Sequence, residues 1–132
     1  MKTAWMVDDD PDITQAMERM IRLMGYELRA FPNAGMAGMA ILRGEKPELI
    51  LIDVNMPEVS GMELLSFIRS KVGWNNVPAV MVSAETADVA VDEAYRLGAD
   101  AYLFKPSTLA EVKMAVGEAI QKRSRNETTT EV

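Results

Sequence analysis

The chain has 132 residues, of which 48% are apolar and 26% charged, a composition typical of one globular domain with its own core. It contains no cysteine and no histidine, which excludes disulfides, thiolate and imidazole metal sites, and every catalytic scheme with a histidine base. The net charge of −6 disfavours direct nucleic-acid binding, and no apolar run comes near the roughly 20 residues that a membrane-spanning helix needs. We therefore expect a cytoplasmic domain with no membrane insertion.

The first half of the chain alternates short apolar runs with helix patterns. Residues 3–7 form an apolar run that ends in three aspartates, the last of which precedes Pro11 as a typical helix N-cap. The apolar residues that follow share one helical face, with Ile21 at its margin: Ile13, Met17, Met20 and Met24. The next patterns predict a helix end at Gly25, a strand over 26–31 and a weak helix over 33–42.

The second half begins with a continuous apolar run over 49–52 that leads directly into Asp53, as in parallel strands buried on both faces. After a turn-rich stretch, the patterns predict a helix over 62–71, a strand over 79–82 ending at Ser83, a helix over 87–97, a strand over 101–104 ending at Lys105, and a helix over 109–121. Residues 122–132 show no periodicity. We expect a domain over 1–121 and a disordered tail, or the start of a linker, over 122–132.

Five strand patterns alternating with five helix patterns indicate an α/β fold, a doubly wound parallel sheet with helices on both faces. In such a sheet, ligands bind beyond the carboxyl ends of the strands. Reactive side chains stand at the ends of four predicted strands: Asp8 and Asp9 after the first, Asp53 after the third, Ser83 after the fourth and Lys105 after the fifth. The sequence therefore predicts that these side chains meet at one edge of the sheet.

Three clustered aspartates are unfavourable without a cation, because like charges raise one another's carboxyl pKa values. Oxygen ligands of this kind favour Mg²⁺, with Mn²⁺ as a substitute. A carboxylate beside such an ion can attack phosphorus, while a lysine and a hydroxyl stabilise the phosphoryl oxygens. Each residue taken alone is an ordinary cap or turn residue, as Asp10 before Pro11 is. The prediction of a site depends on their combination.

The segments MVDDD, LILIDVNMPEVSG, AVMVSA and AYLFKPS, in this order and spacing, resemble the receiver domains of bacterial two-component response regulators over residues 2–121, and the chemotaxis regulators among them. The resemblance implies a flavodoxin-like (βα)5 three-layer sandwich with strand order 2-1-3-4-5. It also implies a phosphoprotein of phosphorelay signal transduction, a signalling switch rather than a turnover enzyme. A sensor histidine kinase or a phosphotransfer protein would supply the phosphoryl group.

Residue roles follow from the same resemblance. Asp53 is implied as the phospho-acceptor and as a metal ligand together with Asp9 and the backbone carbonyl of Asn55, with Asp8 acting indirectly. The other implied roles are phosphoryl contact (Ser83, Lys105), switching (Ser83, Tyr102), tuning of the phosphoaspartate lifetime (Asn55, Glu85) and a cis peptide bond (Lys105–Pro106). Two positions depart from the common pattern, since Ser83 replaces a threonine and Ser107 stands where many relatives carry phenylalanine.

Switching is implied to reshape the surface formed by the fourth helix, fifth strand and fifth helix (α4–β5–α5) for partner binding or homodimerisation. On a helical wheel, Met114 falls outside the buried stripe of the last helix, which predicts that it contributes to this surface.

Three alternatives compete with the receiver interpretation. An aspartyl-nucleophile phosphatase requires a second aspartate two residues after the nucleophile, where this chain has Asn55. A degenerate receiver that serves only as an interaction module lacks the acidic pair, the acceptor or the lysine, and all of these residue types are present here. A flavodoxin-like cofactor binder needs a phosphate-binding loop after the first strand, where this chain carries three aspartates.

Overall fold

The structure, a computed structural model, describes residues 1–84 and 88–130, with side chains described to residue 124. Strands and helices alternate strictly along the chain. Their bounds are β1 Lys2–Val7, α1 Pro11–Arg22, β2 Tyr26–Phe31, α2 Ala34–Leu42, β3 Leu49–Asp53, α3 Gly61–Ser70, β4 Ala79–Ser83, α4 Asp88–Arg96, β5 Ala101–Phe104 and α5 Leu109–Thr130.

All pairings in the five-stranded sheet are parallel, and the strand order is β2-β1-β3-β4-β5. The predicted fold class and strand order are therefore confirmed. The register aligns Asp53 with Val82, and Ser83 with Phe104. Because the strands are parallel, the residues that follow β1, β3, β4 and β5 all emerge at the same edge of the sheet.

Strand side chains alternate between two core layers. The layer on one face contains Trp5, Val7, Ile50 and Ile52 and packs against buried residues of α2, α3 and α4. The layer on the other face contains Ala4, Met6, Leu49 and Leu51 and packs against α1 and α5. Both layers are almost solvent-free, and each fully buried aliphatic side chain stabilises the fold by about 1.5–3 kcal/mol.

Helix α1 begins as predicted, since the Asp10 carboxylate accepts hydrogen bonds from the backbone N–H groups of Asp12 and Ile13, and Pro11 occupies the first helical position. The prediction that Ile21 lies at the margin of the buried face is wrong, because Ile21 is completely buried. It stands one helical turn after Met17 and therefore shares the face that packs on the sheet.

Helix α5 continues to Thr130, so the prediction that it ends near Gln121 is wrong. The assignment of residues 122–132 to a tail or to the start of a linker stays a prediction. The apolar periodicity of the sequence does not predict the continuation of α5, because contacts with distant residues stabilise it. The Arg123 guanidinium donates to the Asp100 carboxylate and to two backbone carbonyls. Although α5 has 22 residues, no helix in the described part of the chain is long and apolar enough to cross a membrane.

Candidate functional site

Three aspartates meet at the carboxyl edge of the sheet. Asp8 and Asp9 follow β1, Asp53 is the last residue of β3, and one carboxylate oxygen from each lies within 4.8 Å of the others. Asp8 and Asp53 are buried, whereas Asp9 is exposed. The Asp8 carboxylate also orients the loop that follows β1, because its Oδ1 accepts from the Asp10 backbone N–H at 2.9 Å. The predicted acidic cluster therefore exists, with one member facing solvent.

Lys105 bridges the two buried aspartates. Its Nζ lies 2.8 Å from Asp8 Oδ2 and 3.2 Å from Asp53 Oδ1. Lys105 follows β5, and its own backbone N–H donates to the Ser83 carbonyl at 2.9 Å, which fixes the start of this loop against the end of β4. The Lys105–Pro106 peptide bond is cis, the isomer that the resemblance implied.

Burial and neighbouring charges shift the pKa values of Asp53 and Lys105. Burial, followed by the charge of Asp8, raises the pKa of Asp53 above its ordinary value, while Lys105 and the Asn55 backbone N–H oppose the shift. Burial alone would lower the pKa of Lys105, but its contacts with Asp8 and Asp53 outweigh burial and raise that pKa. The site thus holds a firmly charged ammonium and a carboxylate that is costly to keep ionised.

Asn55 connects the acceptor strand to Ser83. Its backbone N–H donates to Asp53 Oδ1, and its side-chain Nδ2 donates to the Ser83 hydroxyl oxygen, each at 3.3 Å. Asn55 itself is exposed, whereas Ser83 is completely buried. The structure therefore brings together Asp8, Asp9, Asp53, Asn55, Ser83 and Lys105 at one place.

The outer positions of the predicted site are more scattered. Tyr102 is half-buried on β5, and its ring lies 5.2 Å from the ring of Phe104, which is in register with Ser83. Met114 is 67% exposed on α5, as its wheel position predicted. Glu85 lies outside the described residues.

Two residues between the end of β3 and the first turn of α3 have conformations or contacts that the sequence patterns do not predict. Gly61 begins α3 directly against β3, and a Cβ at this position would lie 2.0 Å from the Asp53 backbone carbonyl oxygen. Glu58 adopts a φ of 67°, in the left-handed region that side chains disfavour. The turn-rich composition of this loop was visible, but the close approach of Gly61 to Asp53 was not.

A hard divalent cation fits the donors that are present. All three carboxylates offer oxygen atoms, which Mg²⁺ prefers. Asp8 Oδ2 is buried and, apart from the Lys105 ammonium, has no hydrogen-bond partner among the described residues. The two buried carboxylates and the exposed one carry more negative charge, when ionised, than the single positive charge of Lys105 offsets. The remaining negative charge favours a cation on the solvent side, near Asp9.

Comparison with known proteins gives a consistent result. The family model described as "Response regulator receiver domain" matches residues 4–117. The chain is 34% identical over 116 residues to the DNA-binding transcriptional regulator NtrC of Proteus hauseri, a match that covers 88% of this chain but 24% of that protein. The chain thus spans about a quarter of the length of this curated relative.

Solved structures agree with the family match. A putative response regulator from Chloroflexus aurantiacus superposes with a TM-score of 0.84 at 27% identity, over 91% of this chain and 98% of that one. The Mn²⁺-bound form of response regulator Rcp1 superposes with a TM-score of 0.73 at 25% identity, over 89% and 91% of the two chains.

Proposed function

This chain belongs to the response regulator receiver domains, and on that premise we propose that it is a signalling switch that accepts a phosphoryl group on Asp53 with the help of Mg²⁺. The observation that carries the proposal is the Lys105 ammonium, which lies within ion-pair distance of both Asp8 and Asp53 beside the exposed carboxylate of Asp9. A cation, a nucleophile and a positive charge for phosphoryl oxygens are the three requirements of this chemistry.

Asp53 is the proposed nucleophile. One of its carboxylate oxygens forms a bond to phosphorus, while the bond from phosphorus to the donor's nitrogen or oxygen breaks and the donor leaves with that electron pair. Lys105 already contacts Asp53 Oδ1, so its ammonium can pair with a phosphoryl oxygen after transfer without leaving the site. These 132 residues contain no histidine, so we propose that the phosphoryl group comes from outside this domain, from a sensor histidine kinase or a phosphotransfer protein.

Asp9 and Asp53 are proposed as direct ligands of the ion, with the Asn55 carbonyl, while Asp8 acts indirectly. When bound, Mg²⁺ neutralises charge on the nucleophile and on the phosphoryl oxygens. Exposed Asp9 leaves one side of the cluster open to the ion. The Mn²⁺ named for the related Rcp1 is an ion of the same coordination preference.

Ser83 and Tyr102 are proposed to carry the switch. The Ser83 hydroxyl is buried at the site and accepts from Asn55 Nδ2, and we propose that its O–H turns to donate to a phosphoryl oxygen when Asp53 is phosphorylated. Tyr102 stands on the same edge strand as Phe104, the register partner of Ser83. Movement of Ser83 would therefore change the α4–β5–α5 surface by shifting the population between two packings of the domain.

The α4–β5–α5 surface carries exposed apolar side chains that suit a partner or a second copy, among them Val89, Phe104 and Met114. We expect Met114→Glu to reduce self-association or partner binding of the phosphorylated domain, measured by light scattering after chromatography. Lys113→Ala, at a neighbouring exposed position on α5, is the matched control. Unchanged association in Met114→Glu would exclude this residue from the contact.

Beryllofluoride, which mimics a phosphoryl group on a carboxylate, tests the proposed site directly. We expect saturable, Mg²⁺-dependent amide shifts at Asn55 and Ser83 in NMR titrations of the wild type. Asp53→Asn and Asp9→Asn should abolish or greatly weaken the response, whereas Asp10→Asn should retain it, because Asp10 serves as a helix cap. A full response in Asp53→Asn would contradict the proposal.

The phosphatase alternative finds no support at the site. The residue two positions after Asp53 is Asn55, whose side chain is engaged with Ser83 and cannot serve as a general acid.

A further inference from the structure

A second buried ionic cluster lies at the opposite edge of the sheet from Asp53. Its centre is Asp100, the residue immediately before β5, whose carboxylate is fully shielded from solvent. Asp100 Oδ2 accepts from Arg69 Nη2 at 3.0 Å and from the Ala79 backbone N–H at 2.9 Å. Asp100 Oδ1 accepts from Arg123 Nε at 2.6 Å. One carboxylate therefore joins α3, β4, β5 and the C-terminal part of α5, residues 121–130, which we call the end of α5.

The two arginines differ in how they are held. Arg69 donates to three backbone carbonyls besides Asp100, those of Trp74, Val77 and Gly98. Arg123 donates to two, those of Asn75 and Gly98. Two guanidinium groups thus share one carboxylate, and burial together with the charge of Arg123 lowers the pKa of Arg69 to about 10.

Because two guanidinium groups share one carboxylate, Arg123 is the arginine that can leave this cluster at the lower cost in free energy. If Arg123 leaves, Asp100 keeps its ion pair with Arg69, and the repulsion between the two guanidinium groups disappears. If Arg69 leaves, several buried carbonyls lose their donor. Detachment of the α5 end therefore costs less than disruption of the inner pair.

The neighbouring residue, Lys122, connects the same helix end to α4. Its Nζ donates to the Ala99 carbonyl at 3.1 Å and lies 5.1 Å from the centroid of the Tyr95 ring. Burial, followed by the charge of Glu118, raises the pKa of Tyr95, while the nearby backbone N–H of Tyr102 opposes the shift. Lys122 and Arg123 thus hold the turn between α4 and β5 by its carbonyls, next to the strand that carries Tyr102.

We infer that Lys122 and Arg123 form a latch that holds the end of α5 on the α4–β5 turn and opens when the phosphorylated domain rearranges around Tyr102. The end of α5 is then an output element of the switch. This inference rests on the proposed function, because it assigns a consequence to phosphorylation of Asp53. The geometric reason is that both latch residues bind carbonyls of the turn itself, so displacement of α4 relative to β5 moves their acceptors.

Hydrogen–deuterium exchange of the full chain tests the latch. In the wild type, phosphorylation by acetyl phosphate and Mg²⁺ should speed exchange of the backbone amides of residues 121–130. Arg123→Ala and Lys122→Ala should speed exchange of the same amides without phosphorylation. Lys113→Ala, on an exposed part of the same helix, should not.

A binding measurement separates a latch from a mere structural brace. Because coupling is reciprocal, a latch that favours the unphosphorylated packing weakens beryllofluoride binding, and Arg123→Ala should lower the half-saturating concentration about five-fold or more. A brace would lower thermal stability in Arg123→Ala and leave the beryllofluoride titration unchanged.

The outcomes distinguish the inference from the proposed function. Phosphoryl uptake by intact mass with faster exchange at the α5 end supports both. The latch is overturned if phosphoryl uptake leaves amide exchange at the α5 end unchanged. It is also overturned if folded Arg123→Ala and Lys122→Ala bind beryllofluoride with unchanged affinity. In both cases the proposed function stands. Absence of uptake overturns the proposed function, and the latch falls with it.

Discussion

Replacement of Gly61 by alanine should destabilise the domain at the phospho-acceptor strand. The new Cβ would lie 2.0 Å from the Asp53 carbonyl oxygen and 2.9 Å from the Val54 Cα, whereas ordinary contacts begin at 3.4 Å. The three nearest atoms are all backbone, so relief requires α3 to move by about 1.4 Å away from β3. We expect a loss of about 3 kcal/mol in the free energy of unfolding.

Urea unfolding measures this loss, with Gly38→Ala as the matched control. Gly38 lies inside α2 with no atom within 4 Å of a built Cβ, so alanine there should stabilise the domain by about 0.5–1 kcal/mol through helix propensity. Because the displaced carbonyl belongs to Asp53, Gly61→Ala should also slow phosphorylation by acetyl phosphate. Equal stabilities of Gly61→Ala and wild type would refute the argument from packing.

Three further predictions concern other residues of the described chain. Asp100→Ala leaves Arg69 and Arg123 without their carboxylate and should cost about 3–5 kcal/mol in urea unfolding, and a loss below about 1 kcal/mol would contradict this. Glu58→Gly relieves a φ of 67° and should raise stability by about 0.5–1 kcal/mol, whereas a loss would show that the Glu58 side chain stabilises the loop. The pKa of Asp53 is raised from 3.8, so without divalent cations the domain should lose stability as pH rises through the pKa of folded Asp53. Thermal melts in EDTA should show this loss in wild type and not in Asp53→Asn. The same dependence of melting temperature on pH in both proteins would contradict the argument that burial raises the pKa of Asp53.

The fold and the centre of the site could be predicted from the sequence because both depend on local patterns. Buried runs such as residues 49–52 define parallel strands, and the polar residue after each run must emerge at the carboxyl edge. The sequence could therefore place Asp53 and Lys105 together, although it could not show that the lysine bridges Asp53 to Asp8.

Features that depend on contacts between distant segments were not predicted. Arg123 is 23 residues from Asp100, and the basic stretch that contains it has no apolar periodicity, so local patterns do not predict that α5 continues through it. Gly61 looked like one turn residue among several, since only the packing of α3 on β3 makes its missing side chain necessary. An ideal wheel places Ile21 at the margin of the apolar stripe, and it does not show that the core residues around α1 cover this position completely.

The central claim is that Asp53 accepts a phosphoryl group in a reaction that needs a divalent cation. Incubation with acetyl phosphate and Mg²⁺, followed by intact-mass measurement, tests it most directly. We predict a mass gain of one phosphoryl group in the wild type, and no gain in Asp53→Asn or in the wild type with EDTA. A wild type that gains nothing, or an Asp53→Asn variant that gains as much as the wild type, would contradict the claim.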